Sequence, residues 1–268
     1  MTIPTGAIGF GAMRLADPNI WYGPADRPAA VRLLRRVAEL GVPLIDTADV
    51  YALGDNEALI AEALHPYPDG LLIATKAGET RPSPHEWVPV GHPAYLKQQA
   101  ELSLRRLRVD HIPLFYLHRI DPLVALEDQL GALVELREAG KIGAIGLSEV
   151  SVAQLDAALR VTGIAAVQNA YNVGDRAHEA VLDRTTKLGI AFVPFYPVAA
   201  SNPVVREVAG ELGATPAQVS LAWLLRRASN MLPIPGTSSE AHLVENLAAA
   251  EVELGDEQYD RLQSAGGG

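Results

Sequence analysis

Eight short apolar runs alternating with segments of helical periodicity restrict the fold of this chain more than any other property. The runs are "AIGFGAM" from Ala7, "VPLID" from Val42, "LLIATK" from Leu71, "IPLFYLH" from Ile112, "IGAIGLS" from Ile142, "IAAVQN" from Ile164, "IAFVPF" from Ile190 and "MLPIPG" from Met231. None alternates strictly between apolar and polar residues, so each reads as a strand buried on both faces. Between them, "RPAAVRLLRRVAELG", "PAYLKQQAELSLRRLR", "PLVALEDQLGALVELREAG" and "TPAQVSLAWLLRRAS" return apolar residues at intervals of three and four. Helix starts are marked by Asp121 before Pro122, by Ser151 with Gln154 and by Thr215 with Gln218, and helix ends by Gly41, Gly140 and Gly189.

Doubly buried strands that alternate with helices require a parallel sheet covered by its own crossovers. Eight such units favour a closed (β/α)8 TIM barrel, with an open doubly wound sheet as the alternative. No linker rich in Pro, Gly or Ser divides the chain, so residues 1–268 read as a single domain.

The net charge of -10 disfavours nucleic acid and anionic membranes as partners, since both select basic surfaces. Absence of cysteine removes thiol nucleophiles, disulfides and cysteine-ligated zinc. The opening "MTIPTGAIGF" lacks the basic and apolar regions of a signal peptide, and every apolar run stops well short of membrane-spanning length. A cytoplasmic protein is the expectation, and nothing in the sequence specifies an oligomeric state.

In a closed parallel barrel the strand C-termini share one rim, where active sites form. Asp46 ends the second run, Lys76 the third and His118 the fourth, so an acid, an amine and an imidazole should meet there. Tyr51 follows Asp46 closely enough for a short loop to return its hydroxyl to the same point. A lysine ammonium beside the phenol would lower its pKa from about 10, and the set suits general-acid catalysis on a carbonyl oxygen. Asp49 has no such company and reads as a turn carboxylate.

The other strand ends carry Ser148 with Glu149, Gln168 with Asn169, and Phe195 with Tyr196. Their amides and hydroxyls could bind a carboxamide, and an aromatic face could stack on a planar ring. Gly236, Thr237 and Ser238 precede a helix whose N-terminus could hold phosphate. "GFGAMR" and "GKIGAIG" lack the G-x-G-x-x-G order, so a dinucleotide would bind by a geometry other than that of a Rossmann fold.

With "IDTADVY", "NEALIAEAL", "ATK", "FYLHRID", "GKIGAIGLSEV", "VQNAYN", "LGIAFVPFYPV" and "IPGTSSEAHLVENLAAA" in order, the sequence resembles the aldo-keto reductases from about Gly6 to about Glu251. The resemblance implies a (β/α)8 barrel that binds NADPH, with NADH also open, and reduces a small-molecule carbonyl. It implies Tyr51 as general acid/base, Lys76 tuning it, Asp46 holding Lys76 and His118 steering the carbonyl. It further implies carboxamide contacts from Ser148 and Gln168, nicotinamide stacking on Phe195, an adenosine-phosphate turn at Gly236, Thr237 and Ser238, and Glu245 and Asn246 near the adenine.

Three positions depart from the common family pattern: Glu149 replaces Asn, Phe195 replaces Tyr, and His242 replaces the Arg that grips the 2'-phosphate. Imidazole offers less charge and no bidentate fork, so NADPH is expected over NADH but with a weaker grip on the 2'-phosphate. The N-terminal hairpin of many members looks shortened or absent, and the rim loops are short. An open pocket is implied, with Trp21, Tyr22 and Trp87 as candidate walls. "MRLADPNIWYGPADRPAAV" and "VPFYPVAASNP" are most similar to a bacterial subgroup that includes pyridoxal reductases, which points to pyridoxal as a candidate substrate.

Three other readings employ the same residues. A Schiff-base aldolase would use Lys76 as nucleophile and leave "GTSSEAHLVENL" without purpose. A cofactor-binding module would keep the dinucleotide site and turn over slowly. A metal-dependent hydrolase could use Asp46 and His118, but no further ligand recurs at suitable spacing, and no metal is expected.

Overall fold

A computed structural model describes residues 2–266. Seven parallel strands form one curled sheet: β1 (Phe10–Gly11), β2 (Leu44–Asp46), β3 (Leu72–Ala77), then β6 (Ile112–Leu117), β7 (Ile142–Ser148), β8 (Ala166–Gln168) and β9 (Ala191–Phe192), neighbours in that order. The short strands β4 (Glu79–Ser83) and β5 (Glu86–Pro89) make an antiparallel hairpin after β3 that the apolar runs do not signal. Helices α1 (Arg27–Glu39), α2 (Asp55–Leu64), α3 (Pro93–Leu107), α4 (Leu126–Glu138), α5 (Val152–Val161) and α6 (Glu179–Leu188) fall between successive strands of the sheet. Helices α7 (Pro203–Leu212), α8 (Pro216–Arg227), α9 (Glu240–Leu247) and α10 (Asp256–Ser264) follow β9.

The eighth run departs from a regular strand for a reason visible in its composition. Leu232 and Ile234 donate to Phe192 O and Pro194 O on one side, at 2.9 and 3.2 Å. On the other side Met231, Pro233 and Pro235 accept from Gly6, Gly9 and Gly11, at 2.7, 2.9 and 3.2 Å. Proline has no N–H, so Pro233 and Pro235 can only accept on the side facing the N-terminal segment, and no full ladder forms there. Backbone hydrogen bonds nevertheless tie this segment to both edges of the sheet.

Strand parity sorts the core into two clusters. Ile45, Phe115, Leu147, Val167 and Phe192 point outward into the layer shared with the helices. Leu44, Ala74, Leu114, Tyr116, Ala166, Val193, Leu232 and Ile234 form a separate inner cluster. Side chains from both edges of a sheet can meet in one cluster only if the sheet curls on itself. Gly146 makes room at the centre: a Cβ there would lie 2.3 Å from the Tyr116 ring of the neighbouring strand.

Local signals behave unevenly. Ser151 and Thr215 form full capping boxes, as expected. Asp121 does not cap a helix. Helix α4 begins at Leu126 instead, and the Asp121 carboxylate accepts from Gly91 N at 2.8 Å and Leu123 N at 2.9 Å, which fastens the loop after β6 to the segment before α3. No helix among the described residues is long and apolar enough to cross a membrane.

Candidate active site

Extending each strand by its period of two places the polar residues on the inner face. Asp46 shares the parity of Leu44, Lys76 that of Ala74, His118 that of Tyr116, Gln168 that of Ala166 and Phe195 that of Val193. Ser148 follows the same rule and pairs in register with Gln168. The apolar inner cluster therefore ends in a polar layer at the strand C-termini.

The deepest part of that layer is an ion pair. Lys76 Nζ, fully buried, donates to Asp46 Oδ1 at 2.5 Å and to Thr47 O at 2.7 Å. Gln168 Nε2 donates to Asp46 Oδ2 at 2.8 Å. A carboxylate oxygen can only accept, so the amide nitrogen faces Asp46 and Gln168 Oε1 is left over. Burial pushes the Asp46 carboxyl up and the Lys76 amine down, and their contact pulls each back towards its charged form.

Tyr51 sits above this pair, with Lys76 Nζ 5.2 Å from its ring centroid and the His118 ring centroid at 6.1 Å. The loop that delivers it places Ala52 and Leu53 at φ of 50° and 52°, left-handed values rare outside glycine, and Ala52 N bonds Ile20 O at 3.1 Å. Such strain persists where surrounding contacts over-determine the loop, and it clusters at functional sites. The lysine does not lower the phenol as the sequence suggested. Burial, and then the Asp46 charge, push Tyr51 well above its ordinary value, while Lys76 donates to Asp46 and Thr47 O. The hydroxyl consequently keeps its proton at neutral pH.

His118 is buried, and burial, Lys76 and Arg119 in that order hold its pKa well below the ordinary imidazole value, so the ring is neutral. Arg119 Nη1 donates to His118 O at 2.6 Å and to Ser148 Oγ at 3.0 Å.

These groups open into a cleft of about 680 Å³. Asp46, Tyr51, His118, Ser148, Gln168 and Phe195 line it, joined on the α9 side by Gly236, Thr237, His242, Glu245 and Asn246. Lys76 stays behind Asp46 and does not reach the cleft, which denies it the access a Schiff-base nucleophile needs. Among the described residues no three His, Asp or Glu side chains are grouped to hold a metal ion.

A model of the Aldo/keto reductase family matches residues 7–266. The chain belongs to the aldo-keto reductase family. It is similar to pyridoxine 4-dehydrogenase of Escherichia coli, at 41% identity over 95% of this chain and 93% of the relative. An uncharacterized oxidoreductase of Schizosaccharomyces pombe is 42% identical over 97% of this chain and 86% of the relative. Among solved structures, a thermostable aldo-keto reductase crystallised with the inhibitor epalrestat superposes with a TM-score of 0.86 at 29% identity, over 98% of this chain and 96% of that one. An aldo-keto reductase of Klebsiella pneumoniae crystallised with NADPH gives 0.83 at 26% identity, over 98% and 94%.

Several expectations for this aldo-keto reductase need correction. Trp21 and Tyr22 do not line the cleft: Asp17 ties down their backbone amides at 2.6 and 2.8 Å, Trp21 stacks 5.5 Å from the Arg81 guanidinium, and Tyr22 is 70% exposed. Trp87 does line it, held with its ring centroid 3.9 Å from Arg81. Ser238 is exposed and lies outside the lining. Glu149 accepts from Ala170 N at 2.7 Å and leaves the cleft to Ser148. Asp49, read as a turn carboxylate, is buried within the loop that carries Tyr51.

The structure also contributes residues that the motifs left out. Met13, Ile20, Glu79 and Arg119 face the cleft near Tyr51, and Arg14 faces it beside Gly236. Behind the site, Asn56 and Glu57 at the start of α2 bond the side chains of Thr47 and Thr75 at 2.7 and 2.5 Å, fixing the neighbours of Asp46 and Lys76. Adjacent Asn56 and Glu57 at the start of "NEALIAEAL" were the available signal.

Proposed function

We propose that this protein reduces a small aldehyde or ketone to an alcohol with NADPH, through a complete (β/α)8 barrel whose eighth stave is the proline-containing segment 231–235. One observation carries the reading: a protonated phenol, a neutral imidazole and a buried Lys–Asp pair converge at the rim of one cleft.

The residues present fit the cofactor. Gln168 Oε1 and Ser148 Oγ stand side by side in register to receive a carboxamide, and the half-buried Phe195 ring lines the same wall. Arg14 and His242 provide the positive or polarisable groups on the α9 side. When bound, the nicotinamide supplies the hydride. Tyr51 gives its proton to the carbonyl oxygen. Lys76 is the adjacent source of positive charge as the phenol loses that proton, and Asp46 holds Lys76 in place. His118 orients the carbonyl by hydrogen bonding.

Pyridoxal is the first substrate to test, on the strength of the Escherichia coli pyridoxine 4-dehydrogenase relative. The experiment is a carbonyl panel containing pyridoxal, assayed separately with NADPH and NADH. Turnover of pyridoxal that is faster with NADPH is expected. Cofactor binding without consumption across the panel would instead favour a binding module.

A further inference from the structure

Glu79 belongs to none of the motifs that carry the family likeness, yet it is buried against the catalytic layer. Its Oε2 lies 3.5 Å from His118 Nδ1. Both atoms are fully buried and neither has a hydrogen-bond partner. Two lone pairs facing one another in a dry site repel, whereas one proton between them makes a hydrogen bond. His118 Nε2 is the ring nitrogen left for the cleft.

We propose that Glu79 is a positioning residue that shares one proton with His118 Nδ1, and so fixes Nε2–H as the donor His118 presents to a substrate carbonyl. The arrangement rests on the reading of His118 given above. A neutral imidazole has one donor and one acceptor nitrogen. If Nδ1 carried the ring proton, Nε2 would aim a lone pair at the carbonyl oxygen and could not steer it. A protonated Glu79 selects the productive tautomer.

The backbone holds the two side chains together. Gly78, at φ +116°, presses the start of the β4–β5 hairpin against the end of β6: a Cβ there would meet Leu117 Cδ1 at 2.9 Å and His118 N at 3.4 Å. Tyr95 Oη donates to Glu79 O at 3.0 Å and His118 N donates to Ala77 O at 2.8 Å. The charged and titratable groups around Glu79 are Arg119 after β6, with Nε 3.9 Å from Oε1, Arg81 on its own hairpin, Lys76 on β3, and Tyr51 and Asp49 on the loop after β2. Burial raises the Glu79 carboxyl and outweighs Arg119, Arg81 and Lys76, which lower it. Together with the neutral His118, whose one ring proton is then on Nε2, this favours one proton between Glu79 Oε2 and His118 Nδ1.

Imidazole proton–nitrogen spectra of the 15N-labelled protein, cofactor-free and with NADP+, decide the tautomer, the His118 signals being assigned by their loss in His118→Phe. The Nε2–H form is expected for the parent and for Glu79→Gln, whose amide can donate to Nδ1, and a mixture for Glu79→Leu. In steady state, Glu79→Leu should lower kcat for carbonyl reduction roughly tenfold or more with unchanged NADPH affinity, while Glu79→Gln retains most of the rate. The parent kcat/KM should fall as rising pH removes the shared proton, and Glu79→Gln should lack that fall. An Nδ1–H tautomer in the parent, or equal losses in Glu79→Gln and Glu79→Leu, overturns the proposal. Undiminished carbonyl reduction by His118→Phe would instead overturn the role given to His118, leaving the tautomer measurement to judge the Glu79 contact by itself.

Discussion

Gln168 and Asp46, 122 positions apart in the chain, meet inside the curled sheet, where the Gln168 amide donates to Asp46 Oδ2 at 2.8 Å. The same amide presents its oxygen at the cleft wall, so one side chain joins the proposed carboxamide site to the carboxylate that holds Lys76. Gln168→Ala should therefore weaken NADPH binding and also lower kcat, each by roughly tenfold, since a hydrogen bond to a charged group is lost along with a ligand contact. Fluorescence titration with NADPH and steady-state kinetics test the two effects separately. A loss confined to cofactor affinity would show that the Asp46 contact has no bearing on proton transfer.

Tyr51→Phe removes the transferable proton and little else. Carbonyl reduction should drop by about a hundredfold to ten-thousandfold, with NADPH affinity nearly unchanged. Stopped-flow single turnovers are the appropriate measurement, and a rate close to the parent's would rule out the phenol as the acid.

His242 is exposed in the first turn of α9 and lines the far side of the cleft. Replacing it with Arg adds a permanent charge and a bidentate fork. The preference for NADPH over NADH, measured as a ratio of dissociation constants, should rise roughly tenfold. No change in the ratio would place the 2'-phosphate elsewhere.

Asp49 is a buried acid, and burial, followed by the nearby Glu57, raises its pKa well above the ordinary value against the lowering by Arg106 and the Val50 amide. An acid raised in the folded state contributes stability below its unfolded pKa of about 3.9 and loses that contribution as pH climbs through the folded pKa. Asp49→Asn does not titrate. The Tm difference, variant minus parent, should increase from acidic towards alkaline pH in melts at matched ionic strength. A pH-independent difference would mean that the carboxyl is already relieved by a partner in solution.

Much of the fold was legible because periodicity is a local property. Alternating apolar runs and helical segments identified the seven strands of the sheet, and the period of two carried Asp46, Lys76, His118, Ser148, Gln168 and Phe195 to one face. The eighth run was legible as an element but not as a ladder, since two prolines removed the donors on one side. The β4–β5 hairpin gave no apolar signal because the side chains it buries, Glu79 and Arg81, are charged and its other residues are half-buried or exposed.

The sequence by itself determined which residues face inward and in what order they reach the rim, for backbone geometry enforces side-chain alternation whatever the surroundings. Only the tertiary structure decided what those residues do to one another. It bound the Lys76 ammonium to Asp46 and Thr47 O, 5.2 Å from the Tyr51 ring centroid, and brought Glu79 and Arg119 against His118. It also withdrew Trp21 and Tyr22 from the cleft and buried Asp49. Each of these outcomes depends on distance and dehydration between residues from separate segments, and those quantities come into being only when the sheet curls and its loops pack over the rim.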